Sequence, residues 1–391
     1  MSYVVEINDL ETLSAQRLLW KALWLETRDA SFFQTLDWLE AYWRCFGEDQ
    51  QLRVLVVYAL DKPIGILPLC VRRERYKVGS LRVLTYPLHD WGSYYGPLGP
   101  NPTATLLAGL RHIAETPRDW DLLELRWTDR AGWEHGRTAR AMQQVGLPVV
   151  QSTWKQIACI DLSGSWEAYT AARDAKWCSN LRRSQRLLAR RGRVEHIHYR
   201  PAGEQQGDGD PRWDLYDACE AVASRSWQGA STDGTTLSHD AIRPFLREAH
   251  GRAARLGTLD LHLMRIDGAP AAFAYNYVNQ GRVQGLRIGF DRQFADCGLG
   301  AVMHGRAVQA SFARGDRHYD LGPGSLAAKA AWLTHIETSY RSTHFPPRDL
   351  RVQALRAKRA VTNWRSARQK AAGSMLHASS KKSLQPVACN L

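Results

Sequence analysis

The 391-residue chain has no run approaching eighteen consecutive apolar residues, so no transmembrane helix is expected. Its first residues, Met1-Ser2-Tyr3-Val4-Val5-Glu6, lack the basic and then apolar regions of a secretory leader, and a cytoplasmic location is expected. Cysteine is sparse: seven residues, at 45, 70, 159, 178, 219, 297 and 389, odd in number and without C-x-x-C spacing. They read as scattered reduced thiols, which excludes a disulfide framework or a zinc ribbon. No Ser-His-Asp order, nucleotide P-loop or histidine cluster at metal-ligand spacing stands out. That argues against a hydrolase, a kinase or a metalloenzyme, and no metal is expected. Acidic residues are in short supply, 39 against 52 Lys and Arg, for a net charge of +13. Residues 348–391 hold ten Lys/Arg and one Asp, a net +9, so most of the excess sits in a terminal extension. Such a tail suits nucleic acid, an anionic membrane or an acidic polymer, or is simply a solvated, partly disordered extension.

The remainder is globular in composition, 44% apolar and 23% charged, and long enough for two domains with their own cores. The stretch from Leu286 to Lys329 organises it. Leu286, Ile288 and Phe290 alternate with Arg287 and Gly289 at the period of a half-buried strand. Gly298-Leu299-Gly300 then leads into a helix with Ala301, Gly305, Val308 and Phe312 on one face, and Gly315 is placed to cap its C-terminus. A second strand, His318–Leu321, a turn at Gly322-Pro323-Gly324, and a helix capped by Ser325 and carrying Lys329 follow. A helix N-terminus opened by small residues suits a phosphate or pyrophosphate; the plain alternative is a tight strand-to-helix turn.

Earlier in the chain, strands are expected near 3–7, 52–58, 64–71, 81–85 and 122–127, with helices near 11–27, 103–115 and 131–145. The stripe Trp38, Leu39, Tyr42, Trp43 and Phe46 reads as core. The segment Tyr86–Pro97 is too rich in aromatic and polar groups for a bare connector and reads as a substrate-contacting loop or as a packed surface loop. Strands near 259–266 and 271–277, joined by Asp267-Gly268-Ala269-Pro270, repeat the pair around Asp61-Lys62-Pro63, which suggests a duplication. The first copy enters its helix through Pro97, Pro100 and Pro102 and offers fewer N–H donors, so the ligand site is expected in the second copy only. Between the copies, a helix over 175–192 carries Arg183, Arg186 and Arg190 on one side, fit for phosphate or carboxylate, or for solvent.

The ordered motifs resemble the acyl-CoA N-acyltransferase superfamily (GNAT), in particular its CelD-like branch associated with cellulose and exopolysaccharide synthesis. Phe290-Asp291, Gly298-Leu299-Gly300, Tyr319-Asp320, Gly324, Lys329 and Trp332 carry the likeness. So do Phe32-Phe33-Gln34, Trp38-Leu39, Asn180, Arg183 and Ser226-Trp227-Gln228-Gly229, over about residues 3–345. Ala328 stands where the family usually has Tyr, and Gln228 where it commonly has Lys. The resemblance implies a mixed α/β fold of two tandem GNAT-like domains, each a mixed sheet flanked by helices. Residues 1–150 would form a half that binds no cofactor, 151–347 the acyl-CoA half, and 348–391 the basic tail.

It further implies acetyl-CoA or another acyl-CoA as co-substrate, held by Ile288, Phe290, Arg292, Cys297, Gly298, Leu299 and Gly300. A small-molecule or glycan acceptor would be lined by Asp90, Tyr94, Arg183 and Trp227. Glu220, Asp320 and Lys329 are the candidate catalytic groups. Asp291 competes as a base but suits turn capping and ion pairing better. The expected reaction is N- or O-acyl transfer to a sugar, polysaccharide or cell-envelope precursor. One alternative is an aminoacyl transferase resembling the Fem ligases, which share a duplicated fold and use charged tRNA; nucleic acid is a partner only there. Another is a degenerate, non-catalytic binding protein.

Overall fold

The computed structural model describes residues 2–128, 134–230, 234 and 236–382. In chain order the first half runs β1 (Ser2–Ile7), α1 (Leu10–Ala15), α2 (Arg17–Glu26), α3 (Leu36–Phe46), β2 (Gln51–Ala59), β3 (Lys62–Tyr76) and β4 (Gly79–Thr85). It continues with α4 (Pro102–Glu115), β5 (Leu122–Thr128), α5 (Arg137–Gln144) and β6 (Val149–Asp161). Two connecting helices follow, α6 (Trp166–Ala171) and α7 (Ala175–Arg191). The second half then runs β7 (Val194–Tyr199), α8 (Trp213–Arg225), α9 (Arg243–Leu256), β8 (Leu259–Ile266), β9 (Ala269–Asn279) and β10 (Arg282–Phe290). It ends with α10 (Leu299–Arg314), β11 (His318–Pro323), α11 (Leu326–Lys329) and β12 (His335–His344), and α12 (Leu350–Lys382) completes the chain. The helix expected over 131–145 is α5, which starts at Arg137; residues 129–133, with Ala131 among them, lie outside those described.

Each half repeats one plan, as the doubled strand-turn-strand signal predicts. Four strands pair antiparallel, and the fourth is followed by a helix and a parallel fifth strand: β4, α4, β5 in one half and β10, α10, β11 in the other. The fold is a duplicated, tandem GNAT-like α/β arrangement. The two units are joined by exchanging their last strands. β6, which closes the first half in sequence, pairs with β11 of the second, while β12 pairs with β5 of the first. β6 and β12 also pair with each other over ten positions, so the described strands make one continuous twelve-stranded sheet. The boundary expected at residue 150 therefore falls inside the strand that crosses over.

Packing follows the apolar periodicities. Thr35 caps α3 by accepting from the Trp38 N–H at 3.1 Å. The aromatic stripe of that helix is core, and it lies on the seam between halves: Trp38 meets Phe245 of α9 at 4.9 Å and Tyr277 of β9 at 6.2 Å, ring to ring. The terminal extension, expected to be solvated, begins with packed turns. Its first turns carry Val352 and Leu355 into a cluster with Leu81, Val83, Leu122 and Phe345. Arg359 of the same helix pairs with the fully buried Glu124. Basic residues there alternate with apolar ones at helical spacing, so charge count alone hides a packed face.

Candidate active site

In the second half the parallel pair β10/β11 holds together only from Arg282–Gln284 opposite His318–Asp320. Beyond that, β10 carries a bulge at Leu286, visible as a register shift against β9 between Gly285 and Arg287. A bulge bends its strand and raises its twist. β11 has its own irregularity against β6 between Asp320 and Pro323. The two strands thus part at their C-terminal ends, where ligands of parallel sheets are received. The Asp291 N–H donates to Ala271 O of β9 at 2.8 Å. By strand alternation, Ile288 and Phe290, beyond the bulge, turn their backbone groups to the opposite side, into the gap. Side chains meet two carbonyls of this stretch: Gln228 Nε2 donates to Ile288 O at 3.3 Å, and Arg287 Nη1 to Leu286 O at 2.8 Å.

The gap is lined by charge. Asp320, buried, accepts from the Gly322 N–H at 2.6 Å, which shapes the turn leaving β11. Lys329 reaches back over that turn and donates to Gly322 O at 2.6 Å and Pro323 O at 3.1 Å. Burial pushes its ammonium below the ordinary lysine value, Asp320 opposes that shift, and Arg287 adds to it. Lys329 therefore feels both charges. Burial also lowers Arg287, to about 10, and its guanidinium lies 4.3 Å over the ring of Trp91. Trp91 belongs to the aromatic segment Tyr86–Pro97, so the first half contributes a wall to the second half's gap. Its indole N–H is fixed by Gly234 O at 2.8 Å. His304 of α10, its Nε2 buried without a hydrogen-bond partner, is pushed down to about 4 by burial and then by Lys329.

The corresponding place in the first half is closed. β4 pairs with β3 without a register shift, and the chain after it returns to the sheet, the Tyr95 N–H donating to Trp127 O of β5 at 3.3 Å. Tyr86, Tyr95 and Leu98 are buried there.

The turn before α10 is tighter than its glycines suggest. Gly298 sits at φ +66°, and a Cβ there would come within 2.4 Å of Ser184 Oγ on α7. A Cβ on Gly300 would meet the Phe290 ring at 2.9 Å. Both glycines are therefore required by packing. Cys297 and Leu299 are buried, Arg292 is exposed, and no side chain caps the α10 N-terminus. α7 is anchored over this turn by Leu181 and Leu188 and by the ion pair of Arg191 with Asp296. Arg183, Arg186 and Arg190 are exposed, and Arg182 and Arg186 line a shallow groove of about 600 Å³ with Ser179, Gln185 and Ala189.

Asp320 and Lys329 are brought together at the gap. Glu220 is not placed with them: its carboxylate meets Arg243 at 2.9 Å and Arg247 at 3.4 Å, both on α9. Asp291 takes the structural role, capping the turn after β10 through the Gln293 N–H and pairing with Arg225 at 2.6 Å. Tyr94 is buried edge-on to Trp127, Asp90 is exposed beside Trp91, and Trp227 is exposed next to the buried Gln228. Nothing in the sequence singles out Arg287, Trp91 or His304. Arg287 sits in an alternating strand and looks solvent-facing until the bulge re-aims it. No helix among the described residues is long and apolar enough to cross a membrane.

Residues 175–330 match the family model described as acetyltransferase (GNAT) domain. No curated protein matches the chain significantly. Among solved structures, FemX superposes with a TM-score of 0.55 at 10% identity, covering 86% of this chain and 96% of that one. The C-terminal domain of a putative lysylphosphatidylglycerol synthetase from Agrobacterium fabrum superposes with a TM-score of 0.50 at 13% identity, covering 82% and 91%. At these identities the likeness is one of fold. The second half carries a GNAT acetyltransferase domain, and the protein is an acyltransferase.

Proposed function

We propose that this GNAT acyltransferase domain takes its acyl group from acyl-CoA, acetyl-CoA being the simplest case, and passes it to an amine or hydroxyl of a sugar or cell-envelope precursor. The observation that carries the reading is the parting of β10 from β11 at the Leu286 bulge, with the backbone of Ile288 and Phe290 turned into the gap. A thioester carbonyl laid along that edge meets N–H donors where negative charge develops. The acceptor's nitrogen or oxygen attacks that carbon, the C–S bond breaks, and the acceptor's proton passes to Asp320 directly or through water. Lys329 spends two of its three N–H donors on the turn and directs its positive charge at the departing thiolate or an anionic acceptor. Thiols ionise near 8.5, so the leaving group needs little help, which accommodates Ala328 where a tyrosine is usual. The pyrophosphate would lie by the uncapped α10 N-terminus, with the arginines of α7 beside it. The acceptor would approach from the seam, past Trp91, Asp90 and Tyr94. The test is protection of the purified protein from thermal unfolding by acetyl-CoA, with transfer to amino sugars followed by mass.

A charged-tRNA donor is the second reading, favoured by the exposed Arg183, Arg186 and Arg190. It requires affinity to fall with salt by about 0.7–0.9 log units per log unit for each phosphate neutralised. The acyl-CoA reading requires only a shallow dependence.

A further inference from the structure

Away from the gap, on the sheet face covered by α10, the edge strand β7 and its neighbour β8 bring four chemistry-bearing side chains together. His196 and His198 alternate onto one face of β7, and Asp260 and His262 onto the same face of β8. His198 stands directly opposite His262 in the register, and their rings stack with centroids 4.0 Å apart. His198 Nε2 lies 2.8 Å from Asp260 Oδ1, and His262 Nε2 lies 3.3 Å from Asp260 Oδ2. One nitrogen from each of these histidines and a carboxylate oxygen all fall within 4.8 Å of one another. The spacing H-x-H on one strand and D-x-H on the next carries no metal signal until the strands are paired.

Two features go beyond a network of hydrogen bonds. His262 is fully buried, and its Nε2, aimed at this cluster, makes no hydrogen bond of good geometry, the 3.3 Å contact with Asp260 Oδ2 falling short of one. A polar atom left so in a protein interior is destabilising unless something satisfies it. The groups behind the cluster are also arranged as outer-shell supports. His262 Nδ1 is 3.2 Å from His196 Nε2, so a proton on Nδ1 fixes the tautomer that leaves Nε2 with its lone pair. Asn276 Nδ2 donates to Asp260 Oδ2 at 2.8 Å, and Tyr319 Oη donates to Asn276 Oδ1 at 3.2 Å. Metal-ligating imidazoles and carboxylates are held in this way.

We infer that His198, Asp260 and His262 form a binding site for a divalent transition ion of the zinc or cobalt type, with His196 as the residue that orients His262. Two imidazoles and a carboxylate are a zinc-type donor set, with a fourth position for water. A single carboxylate beside two imidazoles disfavours calcium or magnesium, which rely on several oxygen ligands, and leaves ions that bind imidazole strongly. The ion would clamp the edge strand β7 to β8 and, through Asn276 and Tyr319, to β11, the strand that carries Asp320. This inference is independent of which acyl donor the protein uses.

The experiment is metal analysis by mass spectrometry of the full chain purified without a metal-chelating tag, with thermal unfolding before and after chelation and after zinc addition. The expected result is about one zinc per chain, a melting temperature lowered by chelator and restored by zinc, and tetrahedral ligand-field absorption on cobalt substitution. His198→Asn, at the half-buried edge, should abolish stoichiometric binding. His196→Gln, which touches no ion, should weaken it about 10–100-fold. Because zinc is added to the wild-type chain as well, a variant that fails to fold does not decide the matter. Wild-type protein with no stoichiometric metal, no response to chelator or zinc and no cobalt spectrum would overturn the inference and leave a hydrogen-bonded histidine stack.

Discussion

Gly285 and Gly322 face each other where β10 and β11 last touch. A Cβ on Gly322 would lie 2.9 Å from Gly285 O, and one on Gly285 would lie 2.7 Å from Asp320 O. Gly322 also sits at φ +76°. The strands come this close because neither residue has a side chain, and they part immediately afterwards.

Gly322→Ala should therefore destabilise the protein by about 1–3 kcal/mol through backbone strain and the close approach. It should also lower the transfer rate, because Asp320 and Lys329 are both tied to this turn. Chemical denaturation together with steady-state kinetics checks it. Stability and rate both equal to wild type would show that the pinch does not set the site.

Lys329→Met removes the donor to two carbonyls and the positive charge at the gap. The expected outcome is a loss of about 1 kcal/mol, chiefly from the part-buried Gly322 O, and a fall in kcat of about 100-fold. If stability falls but kcat at saturating substrates is unchanged, Lys329 is a tie for the turn and takes no part in chemistry.

The pH dependence has a window that belongs to buried histidines. Burial pushes His89, His250 and His304 from 6.5 down to about 4. As pH falls below 6.5 the unfolded chain takes up protons that the folded chain refuses, so stability declines between about pH 6.5 and 4 and is level above. Paired carboxylates act lower. Burial would raise Glu74, but Arg126 and Arg72 hold it down to about 2, so its contribution is full above 4.5 and fades only beneath that. Urea midpoints at pH 7 and pH 5 should differ, and His250→Gln should shrink the difference. Equal wild-type midpoints would contradict the assignment.

Removal of the basic extension should depend on where the cut is made. A chain ending at residue 347 loses Val352 and Leu355 from a buried cluster, at about 1.5–3 kcal/mol each. It also takes Arg359 from the buried Glu124. A chain ending at residue 365 keeps all three. The first should melt clearly below wild type and the second close to it. Equal melting of the two would show that the packed turns of α12 contribute nothing.

Much of the fold was legible because its signals are local. Alternation marked the strands around Leu286–Phe290 and 259–266, Gly315 and Ser325 marked helix ends, and the repeated strand-turn-strand order announced the duplication. Partner choice was not local. Val149–Asp161 alternates like any strand, and nothing in its residues says that it joins β11 of the other half. The candidate site divides the same way. Asp320 and Lys329 are named by ordered motifs and meet at the gap, whereas Arg287 depends on a bulge and Trp91 on the docking of one half against the other. Glu220 stands apart because a buried glutamate on a helix reads alike whether it serves an acceptor or pairs, as here, with two arginines of the neighbouring helix.

The central claim is that the acyl donor lies along the far end of β10 and the start of α10, in the second half alone. Hydrogen–deuterium exchange of the full chain with and without acetyl-CoA tests it most directly. The account predicts slowed exchange across residues 284–302, with smaller effects at α7, and none across the first-half counterpart, residues 83–105. Protection confined to 83–105, or no protection by acetyl-CoA anywhere while charged tRNA protects the arginine face of α7, would contradict it.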